Sequence, residues 1–192
     1  PDLPVKSTQE LIAYAKANPG KLNYGTVGSG SLGHLGAELF RSMSGARLTQ
    51  IVYKGSPQIL SALIGGEINM YMVASISGVM PQLKSGRVRA LGVSTKQSLP
   101  ILPSVPPIAD ALPGYEARGW NGILAPAGTP KPIIDKLHRE IVKIVRSPEF
   151  AHNLVNEGAF AIGNTPEEFA AVIRADMKKW SAVIKEAGIK AE

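Results

Sequence analysis

Short segments rich in β-branched residues alternate with amphipathic helical segments through the first half of the chain. Strands are predicted at residues 21–24, 48–52, 68–73 and 88–94, and helices at about 8–18, 35–45, 57–64 and 78–84. A helix between two strands carries the chain back along the sheet, so that successive strands run parallel. The alternation therefore predicts an α/β fold, with a parallel sheet and helices on both faces.

Helix starts are marked by capping residues. In a capping box a hydroxyl side chain and a glutamate satisfy each other's backbone N–H groups, and such boxes stand at residues 7–10 and 165–168. A third helix is predicted at 130–146, with Thr129 as its N-cap and Pro130 at its first position.

A proline-rich stretch separates the two halves of the chain. Prolines stand at positions 100, 103, 106 and 107, which excludes a helix there and predicts a crossover between domains. Beyond it, short strands are predicted at 120–125 and 160–162.

Composition excludes several kinds of chemistry. The 192 residues include no cysteine, so the chain has no disulfide, no thiolate metal site and no cysteine nucleophile. Residues 1–113 hold ten of the 21 basic residues but only five of the 15 acidic ones, which suits an anionic partner. The basic residues are scattered and aromatic residues make up only 6%, so a small anion is favoured and nucleic acid is not expected.

Neither a membrane span nor a signal peptide is predicted. The longest apolar stretches are far shorter than the roughly 18–20 residues that a spanning helix needs. The chain opens Pro1-Asp2-Leu3-Pro4, without a basic start and an apolar run, which indicates a leader already removed or a piece of a longer protein.

Three turns that follow predicted strands have the character of an anion site. The first contains Gly25, Thr26, Val27, Gly28, Ser29, Gly30 and Ser31; the second contains Tyr53, Lys54 and Gly55; and the third contains Ser75. Each leads into a helix whose free N–H groups and positive dipole end attract an anion. A plainer interpretation stays open, in which the glycines only turn the chain and Ser56 and Ser77 only cap helices.

A dinucleotide site is the main alternative at the first turn. Residues 28–33 match GxGxxG, but such a site also needs an acid about 20 residues further on, for the ribose. Between Glu38 and Glu67 there is no Asp or Glu, and no lysine follows the glycines as in a P-loop. The composition of this stretch therefore argues against a nucleotide.

No catalytic or metal-binding set is apparent, and no cofactor is expected. No metal site is expected at His34, His138 or His152, and no serine stands in a GxSxG elbow. His34 lies one turn into the helix after the first turn, where it either faces a ligand or stabilises the turn.

Several segments in register resemble one known family. The chain contains KLNYGT and GSGSLGHL at 21–35, VYKG at 52–55, GGEINM at 65–70, LKSGRVRALGV at 83–93, LPGYE at 112–116, WNGILAPAGTP at 120–130 and TPEEF at 165–169. It resembles the Bug, or TctC, family of periplasmic substrate-binding proteins of tripartite tricarboxylate transporters, and the resemblance covers essentially the whole chain.

The resemblance implies a two-lobed periplasmic-binding-protein fold of type II, with one lobe incomplete. Residues 5–112 would form one α/β domain, and residues 113–192 would be the return segment of the other. An incomplete lobe exposes a sheet edge and apolar helix faces, which favours a homodimer or a domain swap.

The resemblance also implies a site and a function. The first turn would bind a ligand carboxylate through backbone N–H groups and the hydroxyls of Thr26, Ser29 and Ser31, with His34 and the Tyr53-Lys54-Gly55 turn as further contributors. Many members have an Asp where this chain has residues 73–75, so a plain mono- or dicarboxylate is expected rather than an amino acid. The protein would act in the periplasm with membrane transporter subunits; a nucleotide-dependent enzyme and a non-binding interaction domain are the alternatives.

Overall fold

The computed structural model describes residues 3–190, which form seven α-helices, three β-strands and one short 3-10 helix. In chain order these are α1 (Thr8–Ala17), β1 (Leu22–Thr26), α2 (Leu32–Ser44), β2 (Leu48–Val52), α3 (Ser56–Ile64), β3 (Met70–Tyr71), α4 (Met80–Lys84), the 3-10 helix (Ile108–Asp110), α5 (Lys131–Val145), α6 (Pro148–Asn156) and α7 (Pro166–Ala187).

The three strands form one parallel sheet in the order β2-β1-β3. The central strand β1 pairs with β2 along its whole length, and Gly25 lies opposite Tyr71 of β3. One face of β1 meets α2, where the Tyr24 hydroxyl donates to Glu38, and the other face meets Ile59 of α3. The predicted α/β class with helices on both faces is confirmed.

Gly25 allows α3 to lie close against β1. A Cβ at this position would be 2.5 Å from Cγ2 of Ile59 and 2.8 Å from Cδ1 of Ile68, and both isoleucines are buried. Ile59, Ala62 and Ile68 form a core cluster under the sheet. Close packing therefore requires a glycine at position 25, since real Cβ atoms do not approach other atoms so closely.

Of the two predicted capping boxes, the one at α7 forms completely and the one at α1 forms only in part. The Ser7 hydroxyl accepts from the Glu10 N–H, although the Glu10 carboxylate accepts from the Lys6 N–H instead of returning to Ser7. At α7 the exchange is reciprocal, since Thr165 accepts from the Glu168 N–H at 3.2 Å and Glu168 accepts from the Thr165 N–H at 2.8 Å.

Two other predicted caps are wrong. The N-cap position of α5 is Pro130, and the Thr129 hydroxyl donates to the Pro126 carbonyl instead. The N-cap of α3 is Gly55, and the Ser56 hydroxyl accepts from the hydroxyl of Tyr71. In α5, Pro132 lacks one of the two N–H groups that a Thr129 cap would accept from, and in α3 the Ser56 hydroxyl is already engaged by Tyr71.

Three predicted strands do not form in the described part of the chain. Residues 88–94, 120–125 and 160–162 belong to no strand, and in the first of these Val93 makes an isolated bridge to Pro107. Strand β3 is also shorter than predicted at both ends, and at its start the Ile68 N–H donates to Ala62 at the end of α3 rather than across the sheet. A strand-like composition produces a strand only where a neighbouring chain segment supplies hydrogen bonds.

The chain divides into two compact units, each described by itself. The first runs to Gly119 and resumes at Ala182, and it holds the sheet and the buried core. The second is Trp120–Ser181, in which Trp120 packs edge-on against Phe169 and no residue is buried. The predicted lobes 5–112 and 113–192 refer to the complete family fold, and that division stays a prediction.

No helix among residues 3–190 is both long enough and apolar enough to cross a bilayer.

Candidate functional site

The three turns predicted as candidates meet at one edge of the sheet. They follow β1, β2 and β3, and parallel neighbouring strands bring their carboxyl ends to the same edge. The first turn comes from the central strand and therefore lies between the other two. The Tyr53 N–H donates to the Thr26 carbonyl at 2.8 Å, which joins the second turn to the first.

Ser31 shapes the first turn. Its side chain is the N-cap of α2, with Oγ accepting from the His34 N–H at 3.3 Å. The same hydroxyl donates to the Gly28 carbonyl at 3.0 Å. Both functions of this hydroxyl are therefore used within the turn, so a ligand would have to compete with them.

Free backbone donors remain beside Ser31. Among the described residues, the N–H groups of Ser29, Leu32 and Gly33 have no protein acceptor. Leu32 and Gly33 are the first two residues of α2, where the helix dipole is positive. An anion above this turn would receive several N–H donors, although the Gly30 N–H is already bound to His34.

His34 stabilises the first turn from its buried side. Its ring is buried, and Nδ1 accepts from the Gly30 N–H at 3.1 Å. Burial lowers the pKa of this histidine, the carboxylate of Glu38 opposes that shift, and Arg41 adds to it. Of the two roles that sequence analysis left open, the structure favours the turn-stabilising one.

Glu38 carries a buried carboxylate to which sequence analysis gave no role. Its Oε1 accepts from the Tyr24 hydroxyl at 2.6 Å, and Arg41 Nη1 donates to both carboxylate oxygens at 2.7 and 2.6 Å. Oε1 also lies 3.8 Å from His34 Nε2. Burial and the Glu38 carboxylate raise the pKa of Tyr24, which keeps this hydroxyl protonated and donating. The spacing of His34, Glu38 and Arg41 on one helix face was the available signal.

The other candidate side chains divide between structural and exposed positions. Thr26 is buried, and its hydroxyl accepts from Gln50 at 2.8 Å, while Tyr53 packs against the core cluster under the sheet. Lys54 is exposed, and it makes no ion pair within the described residues. Ser75 is exposed, with its hydroxyl 3.1 Å from that of Ser77.

The composition of this edge suits an anion. The three turns contain no Asp or Glu, carry one lysine, and present several hydroxyls and backbone donors. Valines at positions 27, 52 and 73 are exposed beside them. In the described part of the chain, no three His, Asp or Glu side chains are grouped so that they could hold a metal ion.

A cavity of about 180 Å³ lies away from these turns, in the first unit. It is between the ends of α2 and α7, where Ser42 donates to Glu186 at 2.7 Å. Arg41 and Glu38 line it, so the buried carboxylate separates this cavity from the turn that His34 supports.

Fold and site together define an α/β protein with a candidate anion site at the carboxyl edge of a parallel sheet. Residues 1–189 match the model of the tripartite tricarboxylate transporter family receptor, TctC, and the chain belongs to this family. The resemblance identified from the motifs is thereby confirmed.

Three similar proteins illustrate the relationship. The UPF0065 protein in the tcbD-tcbE intergenic region of Pseudomonas sp. is 35% identical over 179 residues, which are 92% of this chain and 53% of that protein. The structure of R. palustris Rpa4515 with adipate is 36% identical, with a TM-score of 0.84 over 98% of this chain and 63% of that one. MatC (Rpa3494) from Rhodopseudomonas palustris, with bound malate, is 27% identical, with a TM-score of 0.75 over 94% of this chain and 63% of that one. The chain spans little more than half the length of the first curated relatives that it matches.

Proposed function

We propose that this chain binds a small organic carboxylate at the carboxyl edge of its sheet, as the solute receptor of a tripartite carboxylate transporter. The observation that carries the proposal is the group of free N–H donors at Ser29, Leu32 and Gly33, with exposed Lys54 on the neighbouring turn and no acidic side chain among the three turns. Such an edge favours an anion and offers no partner for an ammonium group.

Two related proteins support a carboxylate as the ligand. The structures that resemble this chain include one with adipate and one with bound malate, and both ligands carry two carboxylates. In this chain one carboxylate would lie over the first turn. Binding through backbone donors requires no catalytic group, which agrees with the role of a receptor.

Ligand-dependent thermal stability tests the proposal. We expect adipate or malate to raise the melting temperature, because a ligand at about 100 times its Kd adds about 2.7 kcal/mol to the folded state. Measurement by differential scanning fluorimetry, with 1,6-hexanediol as the uncharged control, separates carboxylate recognition from apolar binding. The proposal is wrong if a panel of mono- and dicarboxylates produces no shift in the protein.

The variant Lys54→Met examines the charged part of the site. Removing this exposed cation is expected to weaken carboxylate binding by about tenfold, which corresponds to about 1.4 kcal/mol. Lys84→Met is the matched control, since Lys84 is an exposed lysine at the end of α4, away from the three turns. Equal carboxylate affinities of the two variants would show that Lys54 does not contribute to binding.

We also propose that the receptor works in the periplasm and delivers its ligand to membrane subunits of the transporter. This part of the proposal is supported by the family to which the chain belongs.

We further infer that the second unit associates with a second copy of the chain. Its helix α5 is strongly amphipathic but has no buried residue, and Ile133, Leu137 and Ile144 remain about half exposed. Light scattering after gel filtration is expected to show that the protein is a dimer. The variant Leu137→Glu is expected to dissociate this dimer, because it places a charge in the apolar face of α5. Lys136→Glu, on the polar side, serves as the control; a monomeric wild-type protein contradicts the inference.

A further inference from the structure

The contact between His34 and Gly30 determines which backbone donors the first turn presents. The Gly30 N–H donates to the buried imidazole and is therefore not available at the carboxyl edge of the sheet. The backbone φ of Gly30 is 73°, a value that glycine adopts without strain. With this donor held, the turn leaves the N–H groups of Ser29 and Leu32 free. The imidazole therefore takes part in shaping the site without facing it.

The contact requires a particular protonation state. Nδ1 can accept from the Gly30 N–H only when it carries no proton, so the ring is neutral with its hydrogen on Nε2. A proton on Nδ1 would set two donors against each other at 3.1 Å, and the turn would have to move. The position of the turn is thus coupled to the charge of one side chain.

The surroundings of the ring keep it neutral near pH 7. Its side chain is only 5% exposed, and the charged groups near it are Glu38 and Arg41 of its own helix. From β1 the Tyr24 hydroxyl reaches Glu38, and from the segment after the 3-10 helix the buried Tyr115 hydroxyl donates to the Gly36 carbonyl. Because Arg41 occupies both oxygens of Glu38, this carboxylate offers the imidazole only a contact at 3.8 Å.

We propose that His34 is the positioning residue of the site: in its neutral form it holds the Gly30 N–H and fixes the donor array, and protonation releases the turn and lowers carboxylate affinity in mild acid. This inference rests on the proposed function. The direction of the pH effect follows from linkage. If the ligand-bound form excludes a proton, carboxylate affinity must fall as the pH falls.

The pH dependence of binding tests the inference. Isothermal titration with adipate is expected to show an affinity at least about threefold lower near pH 5 than near pH 7.5 in the wild type. In His34→Asn the amide oxygen lies near the place of Nδ1 and accepts from the Gly30 N–H without titrating. We expect the affinity of this variant to fall between pH 7.5 and pH 5 by a factor at least about twofold smaller than that of the wild type.

Two more variants complete the design. His34→Ala has no acceptor for the Gly30 N–H and is expected to bind more weakly than His34→Asn at both pH values. His152→Asn removes an exposed histidine of α6 and is expected to keep the wild-type profile. Protonation of adipate itself affects all variants alike, so only the difference between profiles counts.

The outcomes separate the two proposals. If the wild type binds no carboxylate at either pH, the proposed function fails. If it binds, and His34→Asn has the same pH profile as the wild type, the positioning role of His34 is wrong while the proposed function stands. Circular dichroism on each variant, without ligand, confirms that the fold is retained at both pH values.

Discussion

Glu38→Gln is expected to lower the free energy of unfolding by about 2–4 kcal/mol, because it removes the charge from a buried network. Glu38 is 6% exposed and accepts three hydrogen bonds, one from the Tyr24 hydroxyl and two from Arg41. Glutamine has the same shape but one acceptor oxygen, and its NH₂ group would meet the Arg41 guanidinium donor against donor. The cost is the loss of charge-assisted hydrogen bonds and the poor pairing of groups that stay buried.

Urea unfolding followed by far-ultraviolet circular dichroism measures this effect. Tryptophan fluorescence would not serve, because Trp120 and Trp180 both belong to the second unit. Glu67→Gln is the matched control, since Glu67 is exposed after α3 and its change is expected to stay within about 0.5 kcal/mol. A loss below about 1 kcal/mol for Glu38→Gln would show that the network contributes little.

Gly25→Ala is expected to cost about 1–3 kcal/mol through overpacking. The new methyl group would meet Ile59 and Ile68, which are almost fully buried and have little freedom to move. Either α3 shifts away from the sheet or both isoleucines leave their preferred rotamers. Because Gly25 lies near the end of β1, in the stretch predicted to bind the ligand, we also expect a weaker carboxylate affinity in this variant.

Gly78→Ala separates packing from the general effect of replacing glycine. A Cβ at Gly78 would meet no atom within 4 Å, and its φ is not in the left-handed region. This control is expected to be neutral or slightly stabilising, because alanine reduces the freedom of the unfolded chain. Equal stabilities for the two variants in urea would mean that the core adapts to the added methyl group.

Local signals in the sequence located much of the fold. The capping residues of α1 and α7 and the glycines after α2 and α3 placed helix ends to within a residue or two, since these groups act through neighbouring backbone atoms. The same reasoning was wrong at residues 88–94, 120–125 and 160–162. Those segments have strand-like composition, but in the described chain no neighbour pairs with them as a strand.

The candidate site was predictable in place but not in detail. Glycines and hydroxyls after three strands indicated the carboxyl edge of the sheet, and the structure brings the three turns there. Sequence analysis could not show that the Ser31 hydroxyl makes its hydrogen bonds within the turn. It also could not show that Gly25 allows α3 to pack closely against β1. Whether these residues bind a carboxylate stays a prediction for the experiments above.

The order of residues alone determined the α/β class, several helix ends and the family, because periodicity, capping and motifs depend on neighbours along the chain. Only the tertiary structure decided that Glu38 joins Tyr24 to Arg41, and that the His34 imidazole accepts from the Gly30 N–H. Hydrogen bonds and burial of this kind depend on which elements pack together. That choice is made by the sheet order and by the space at Gly25, which no local pattern encodes.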